Sequence, residues 1–251
     1  MKNMTVDLII GILTPFLGTA LGALGVFFLR KRFSVRLERM LNGFAAGVMT
    51  AASVWSLLIP AIERSAGLGK LAFLPAVIGM LGGFFFLALT DRVLPVGEEG
   101  DGKRSLLTLA VTIHNLPEGM AVGAAYAGAL AAGGFPVSAA FALSLGIAVQ
   151  NLPEGAIVSM PLAGKGKGKA FLAGVLSGAV EPAGAILTLL ATGLITPALP
   201  LFLSFAAGTM LYVVTEELLP GENGNAKKPG IGTVFFFLGF LTMMTLDVAL
   251  G

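Results

Sequence analysis

Three glutamates lie inside long uncharged stretches of the sequence. Glu118, Glu154 and Glu181 each have at least ten residues on either side without aspartate, glutamate, lysine or arginine. His114, the only histidine, lies in the same stretch as Glu118. Ionisable groups in such surroundings are expensive in lipid and usually mark a substrate pathway or a binding site. These four residues are therefore the first candidates for chemistry.

The residues before two of these glutamates repeat with the spacing of one helix face. His114 and Asn115 precede Glu118 by four and three positions, so all three side chains share a face. Imidazole, amide and carboxylate donors facing one cavity suit Zn²⁺, Fe²⁺, Mn²⁺ or Cd²⁺ better than Cu⁺. A bound dication would also offset the repulsion between the carboxylates. The second motif repeats the arrangement with Gln150, Asn151 and Glu154.

A proline precedes the glutamate in each motif. Pro117 and Pro153 cannot donate to the carbonyls of Ile113 and Val149, so each helix is expected to kink beside its polar residues. Backbone carbonyls freed in this way are tolerated in a membrane only where they line a cavity. The prolines therefore favour a cavity at the same level as the carboxylates.

Simpler interpretations of these residues remain open. A single histidine in a helix is often a hydrogen-bonded core residue. Glu118 and Glu154, if protonated, would bond to neighbouring helices without binding metal, and Glu181 would serve as a structural carboxyl. Met49, in a small-residue segment, favours packing on sequence grounds alone.

The composition indicates whether these residues lie in water or in lipid. Of 251 residues, 56% are hydrophobic and 12% are charged, with a mean hydropathy of +0.91. Soluble proteins carry about 25% charged residues, so this chain is expected to lie in lipid. The absence of cysteine excludes disulfides and thiolate metal sites. No basic run with interleaved aromatic residues indicates nucleic-acid binding.

Eight segments are long and apolar enough to cross a bilayer, which takes roughly 20 residues each. Their connections are short, which predicts one all-α membrane domain over residues 1–251. The first segment is followed by Arg30 to Arg32 and is interpreted as a retained span. The predicted spans 1 to 8 cover residues 7–29, 41–62, 71–94, 105–129, 134–160, 169–193, 197–219 and 231–250.

Basic residues are concentrated on one side of these spans. Thirteen of the sixteen lysines and arginines lie in the loops after spans 1, 3, 5 and 7. Only Lys2, Arg64 and Lys70 lie on the other side. The positive-inside rule therefore predicts that both termini are on the non-cytoplasmic side.

Two internal repeats accompany the spans. IHNLPEGMAVG in span 4 is repeated as VQNLPEGAIVS in span 5, and FAAGVM (44–49) in span 2 as FAAGTM (205–210) in span 7. Spans 2 and 7 cross the membrane in opposite directions. Inverted repeats of this kind are typical of secondary transporters, whose substrate site lies near the bilayer midplane.

With HNLPEG, QNLPEG and SGAVEP in spans 4, 5 and 6, the sequence resembles the Zrt/Irt-like (ZIP) family of divalent-metal transporters, in its bacterial short-loop branch. The resemblance covers the whole chain. It implies eight transmembrane helices in a 3+2+3 arrangement, with spans 1–3 and 6–8 as inverted repeats. It also implies a homodimer in the cell (inner) membrane of a bacterium or archaeon.

The resemblance further implies a binuclear metal site. Asn151 stands where members of the family often have aspartate, so the second metal position is expected to be weaker. Glu63 matches an acidic residue at the outer entrance, and Asp91, Glu216 and Glu217 would pass the ion onward at the inner side. The first metal would be held by His114, Glu118, Gln150 and Glu154 with Met49 in reach, and the second by Asn115, Asn151 and Glu181.

These observations predict a transporter that moves a divalent transition metal into the cytoplasm, with no cofactor beyond the transported ion. Zinc is the first candidate, and Fe²⁺, Mn²⁺, Co²⁺ and Cd²⁺ share its ligands. One alternative is an intramembrane metalloprotease, although the sequence lacks an HExxH motif. Another is a proton or monovalent-cation carrier that uses the same carboxylates.

Overall fold

The computed structural model describes residues 2–28, 34–93, 101–130, 136–219 and 230–250. The side chains of 2–4, 101–111, 114, 161, 165, 192–197 and 217 lie outside this description. The described residues form α-helices joined by short 3₁₀ and π turns. The helices are α1 (Lys2–Phe28), α2 (Val35–Ala52), α3 (Ile59–Arg64), α4 (Leu74–Val93), α5 (Asp101–Leu130), α6 (Val137–Ser159), α7 (Lys167–Gly178), α8 (Val180–Leu190), α9 (Thr192–Val213) and α10 (Ile231–Leu250).

The prediction of an all-α protein with several membrane spans is confirmed. Within the described residues, seven helical segments are long and apolar enough to cross a bilayer, and they match predicted spans 1, 2, 3, 5, 6, 7 and 8. Predicted span 4 falls within α5, which is a helix of 30 residues but is not among the seven. The count of eight spans and their 3+2+3 arrangement therefore stay predictions. The seven segments are Thr5–Phe28, Val35–Arg64, Leu74–Val93, Val137–Ser159, Lys167–Leu190, Ala198–Glu216 and Ile231–Leu250.

Helix ends extend beyond the apolar stretches from which the spans were predicted. α2 begins at Val35 rather than at residue 41, because the Ser34 hydroxyl accepts a hydrogen bond from the Leu37 amide at 3.2 Å. A first turn that carries Arg36 and Glu38 is helical but not apolar. Hydropathy locates the membrane-crossing part of a helix, whereas the cap decides where the helix starts.

Proline has different effects in the three helices that carry the glutamates. α5 and α6 continue through Pro117 and Pro153, and the predicted kinks there stay predictions. Span 6 is interrupted at Ala179, between α7 and α8. Pro182 cannot donate to the carbonyl of Gly178 and crowds it, which accounts for the break just before Glu181.

Glycines set the closest helix pairs. α1 packs on α6 and α5 on α8, while α2 packs on α10 and α4 on α9. A Cβ on Gly155 of α6 would collide with the backbone of Thr19 on α1, and one on Gly119 of α5 with the backbone of Glu181 on α8. Small residues allow this close approach between helices in membranes. Each NLPEG helix therefore packs closely against a partner helix at the glycine of its motif.

The two copies of the FAAG repeat make matching contacts with neighbouring helices. A Cβ on Gly83 of α4 would collide with the Phe205 carbonyl, and one on Gly239 of α10 with the Phe44 carbonyl. Phe44 and Phe205 are the first residues of the two hexapeptides. Both repeats therefore present the same backbone group to a glycine of a neighbouring helix.

The two FAAG helices also share an irregular turn. A π turn (Ser53–Leu58) follows α2 and another (Val214–Leu218) follows α9. Each begins the same number of residues after the phenylalanine of its hexapeptide. π turns inside helices are rare and frequently lie at functional sites.

Candidate metal centre

Five polar residues of the two motifs and of α8 come together in the interior of the bundle. Asn115 and Glu118 lie on α5, Gln150 and Asn151 on α6, and Glu181 in the first turn of α8. All five side chains are buried, with at most 3% of their surface exposed. Buried polar groups need hydrogen-bond partners. The atoms that have such partners, and those that lack them, indicate what the centre can bind.

Glu118 and Gln150 join the two motif helices. The side-chain nitrogen of Gln150 donates a hydrogen bond to Oε1 of Glu118 at 2.8 Å. This bond leaves the second carboxylate oxygen of Glu118 and the amide oxygen of Gln150 for another partner.

Glu181 is held from two sides. The Thr19 hydroxyl on α1 donates to Oε1 of Glu181 at 2.7 Å, and Nδ2 of Asn115 lies 3.4 Å from the same oxygen. Nδ2 of Asn115 also donates to the Ser177 carbonyl at 3.2 Å. One oxygen of Glu181 is therefore occupied and the other is not.

Five buried oxygen atoms in this centre have no hydrogen-bond partner. A buried polar atom without a partner carries a desolvation penalty of about 1–3 kcal/mol, more if it is charged. Lone pairs of carboxylate and amide oxygens are ligands that a divalent cation accepts. The donor set therefore fits a cation. The five atoms are Asn115 Oδ1, Glu118 Oε2, Gln150 Oε1, Asn151 Oδ1 and Glu181 Oε2.

The carboxylates also lie close to one another. Glu118 and Glu181 are near enough to interact electrostatically, and so are Glu181 and Glu154. Glu154 is half-buried. Among the described side chains, no three histidine, cysteine, aspartate or glutamate residues form a complete metal-binding group by themselves. The amide oxygens of Asn115, Gln150 and Asn151 thus make up a large part of the available donors.

The structure does not place two of the predicted site residues in this centre. His114 lies one helical turn before Glu118 on α5, and its side chain is outside the described residues. Met49 on α2 is buried in the main apolar cluster with Ala46 and Val48. The described contacts of Met49 are therefore with apolar side chains.

Thr19 was not predicted from the sequence. It is fully buried on α1, and its hydroxyl makes the shortest of the bonds to Glu181. Threonine is common in membrane helices because its hydroxyl can bond to its own helix backbone, as Thr50 does to the Ala46 carbonyl. A single threonine in an apolar span is therefore a weak signal, and only the contact between α1 and α8 gives it a role.

Comparison with known proteins identifies the family of the chain. The profile of the family described as "ZIP Zinc transporter" matches residues 103–247. The chain belongs to the ZIP zinc transporter family. It is 38% identical to zinc transporter ZIP11 of Xenopus tropicalis, covering 93% of this chain and 94% of that protein. Zinc transporter ZIPB of Bordetella bronchiseptica is 34% identical (97% and 81%) and zinc transporter GufA of Myxococcus xanthus is 35% identical (93% and 94%).

Membership of the ZIP family confirms several predictions. The chain is a multi-pass membrane protein of a metal-transporter family and not an enzyme, so the interpretation as an intramembrane protease is set aside. The relatives come from an animal and from bacteria. The bacterial or archaeal origin of this chain stays a prediction.

The predicted accessory acids of this ZIP protein lie at the ends of its helices. Glu63 is exposed in the last turn of α3. Asp91, in the last turn of α4, accepts a hydrogen bond from the Tyr212 hydroxyl at 2.7 Å. Glu216 is exposed in the second π turn, and the side chain of Glu217 is outside the described residues.

Proposed function

We propose that this ZIP protein carries a divalent transition metal, zinc in the first place, through the centre between α5, α6 and α8. The observation that carries the proposal is the set of five buried, unpartnered oxygens contributed by three helices. Moving even a monovalent ion from water into hydrocarbon costs on the order of tens of kcal/mol, and the cost is several times larger for a dication that loses its hydration shell. Oxygens already removed from water replace that shell without further desolvation.

We assign the donors to two positions. The first uses the free oxygens of Glu118 and Gln150, together with Glu154. His114 belongs to it because it lies one turn from Glu118 on the same helix face, and Met49 on α2 is the remaining candidate. The second position uses Asn115, Asn151 and Glu181. Because Asn151 is neutral, this position holds a cation less tightly than an aspartate there would.

The orientation of the chain in the membrane follows from charge outside the centre. Lysines and arginines concentrate in the loops after the odd-numbered spans, so we place those loops in the cytoplasm and both termini outside. Eight spans in a 3+2+3 arrangement, with α5 as span 4, then put the centre near the bilayer midplane. The ion enters at the ends of α3 and α10 and leaves near Asp91.

Uptake into proteoliposomes tests the proposal. We expect radioactive Zn²⁺ to accumulate with the unmodified protein and to be lost with Glu118→Ala and with Glu154→Ala. Glu38→Ala is the matched control, since Glu38 is an exposed carboxylate at the start of α2, away from the centre. Normal uptake by both centre variants would rule out the assignment. Uptake of protons or monovalent cations without metal would favour the other carrier interpretation.

The oligomeric state is a separate proposal. The family resemblance implies a homodimer, and light scattering of the purified protein in detergent measures its mass directly. A mass of two chains of 25.6 kDa after subtraction of detergent is expected, and a single-chain mass would contradict it.

A further inference from the structure

Charge is distributed unevenly among the four segments that carry most of the basic residues. Segments 29–40 and 161–170 together contain eight lysines and arginines and one acidic residue, Glu38. Segments 91–104 and 214–230 together contain five lysines and arginines but seven aspartates and glutamates. All four segments follow odd-numbered predicted spans, which predicts that they share one end of the bundle. One part of that end is therefore strongly basic and the other slightly acidic.

The structure brings the end of α1, which the first basic segment follows, against the start of α7, which carries the second. Nζ of Lys167 donates a hydrogen bond to the carbonyl of Phe27, in the last turn of α1, at 2.8 Å. The rings of Phe27 and Phe171 have their centroids 5.4 Å apart, and Val26 and Ala170 belong to one small buried cluster. The lysines of α7 are therefore fixed beside the end of α1.

The basic side chains at this junction are accessible. Lys167 and Lys169 are both exposed in the first turn of α7. A lysine ammonium has three donors, so the bond to α1 leaves two donors on Lys167. A Cβ built on Gly164, Gly166 or Gly168 meets no described atom within 4 Å. The described part of the chain therefore leaves this turn uncovered.

An exposed apolar surface adjoins the lysines. Lys169, Leu172 and Leu176 follow one another at intervals of three and four residues, so they lie on one face of α7. The two leucines are 54% and 57% exposed. On α1, Phe28 is 81% exposed and directly follows the residue whose ring contacts Phe171. Positive charge at the end of an exposed apolar face, in a chain that spans a bilayer, matches the head group and acyl chain of an anionic phospholipid.

We infer that Lys167 and Lys169, at the junction of α1 and α7, bind the head group of an anionic phospholipid from the leaflet at this end of the bundle. Both segments that meet at the junction have an excess of positive charge, and a zwitterionic head group would add a further cation beside it. The acyl chain of the lipid packs along Leu172 and Leu176. This site goes beyond the proposed function and does not depend on metal in the centre.

Lipid titration of the purified protein in a neutral detergent tests the inference. Native mass spectrometry counts the lipids bound per chain as dioleoyl phosphatidylglycerol or dioleoyl phosphatidylcholine is added. We expect half-occupancy at an about tenfold lower concentration of phosphatidylglycerol, and loss of this difference in Lys167→Ala/Lys169→Ala. Lys167→Arg/Lys169→Arg keeps both charges and should bind as the unmodified protein does. The matched control is Lys227→Ala/Lys228→Ala, which removes the same charge from the acidic part and should keep the preference.

Three results of this titration would overturn the inference. The first is equal affinity of the unmodified protein for the two lipids. The second is an equal loss of phosphatidylglycerol in the control variant, since total charge rather than this surface would then determine binding. The third is displacement of the lipid by an equal concentration of glycerol 3-phosphate or of a polyglutamate peptide, which would favour a free phosphate or an acidic protein as the ligand.

Thermal unfolding distinguishes a lost lipid site from a damaged fold. Binding to the folded state raises the melting temperature, so phosphatidylglycerol should stabilise the unmodified protein, the arginine variant and the control more than phosphatidylcholine does. The double alanine variant should lose only this extra stabilisation. If it melts lower in phosphatidylcholine but keeps the extra stabilisation, Lys167 only joins α7 to α1 and the inference fails. Neither measurement involves zinc uptake, so failure of the transport proposal would leave the lipid site standing.

Discussion

α5 and α6 carry the same five-residue motif, and in both the motif glycine packs against the backbone of a partner helix. The side chains around the two motifs differ. Gly119 contacts the backbone of Glu181, and Gly155 contacts the backbone of Thr19. The equivalent position on the partner helix is thus a carboxylate for α5 and a hydroxyl for α6. The two residues then bond to each other, since Thr19 donates to Glu181.

Comparing α5 with α6 shows which features of the NLPEG motif are the same in both helices and which are not. The close approach between helices needs only glycine and is the same in both motifs. The residues four positions before the glutamates differ, with His114 in the first motif and Gln150 in the second. Duplication supplies two scaffolds of one shape, and substitution within them gives the two helices different side chains at matching positions.

The largest expected effect is on Zn²⁺ uptake, and it should differ between the two motif glutamates. Glu118→Gln removes a fully buried charge with an unpartnered oxygen, and we expect Zn²⁺ uptake to fall about 100-fold or more. Glu154→Gln removes a half-buried charge, and we expect about a tenfold fall. Initial uptake rates in proteoliposomes measure both. Equal losses would mean that the two motifs contribute alike.

The second effect concerns Thr19. Thr19→Val keeps the side-chain shape and removes the hydroxyl that orients Glu181, so the KM for Zn²⁺ should rise about tenfold. Thr19→Ser keeps the hydroxyl and should restore the KM. If valine lowers protein yield or thermal stability but leaves the KM of the folded fraction unchanged, Thr19 has only a packing role.

Much of this architecture could be predicted from the sequence. Long apolar segments identify helices in lipid, and Asn115, Glu118, Gln150 and Glu181 are conspicuous because polar residues are rare there. Their pairing could not be predicted, because one sequence contains no information on which helix faces contact. Thr19 was overlooked because a threonine in an apolar span usually bonds to the backbone of its own helix. The two π turns leave no trace in composition or periodicity.

A third prediction tests whether the close helix contacts at Gly119 and Gly155 contribute equally to stability. A Cβ on Gly119 or on Gly155 meets the backbone of a partner helix, so each alanine substitution should destabilise the protein by about 1–3 kcal/mol. Thermal unfolding followed by Trp55 fluorescence provides the measurement. Gly168→Ala in α7 is the control, since a Cβ there meets nothing within 4 Å, and its melting temperature should not fall. A loss at only one of the two motif glycines would contradict the equivalence.

The smallest effect should come from making the second position more acidic. Asn151→Asp adds a charge beside Glu118 and Glu181, so the protein should bind more Zn²⁺ per chain, with uptake changed only a few-fold. Equilibrium dialysis with radioactive zinc counts the bound ions. An unchanged count would indicate that Asn151 lies outside the metal-binding set.

The π turns after α2 and α9 have a consequence in genetic terms. A π turn closes its hydrogen bonds over one residue more than an α-helical turn, so each amounts to one additional codon at a matched distance after its FAAG hexapeptide. Deleting that codon after α2 or after α9 would rotate everything beyond it by about 100° around the helix axis. After α2, the deletion would break the hydrogen bond that the Ser56 hydroxyl donates to Asp247 of α10. After α9, the change would fall just beyond Tyr212, whose hydroxyl donates to Asp91. A single in-frame deletion would therefore alter one end of the helix bundle and leave the other as it is.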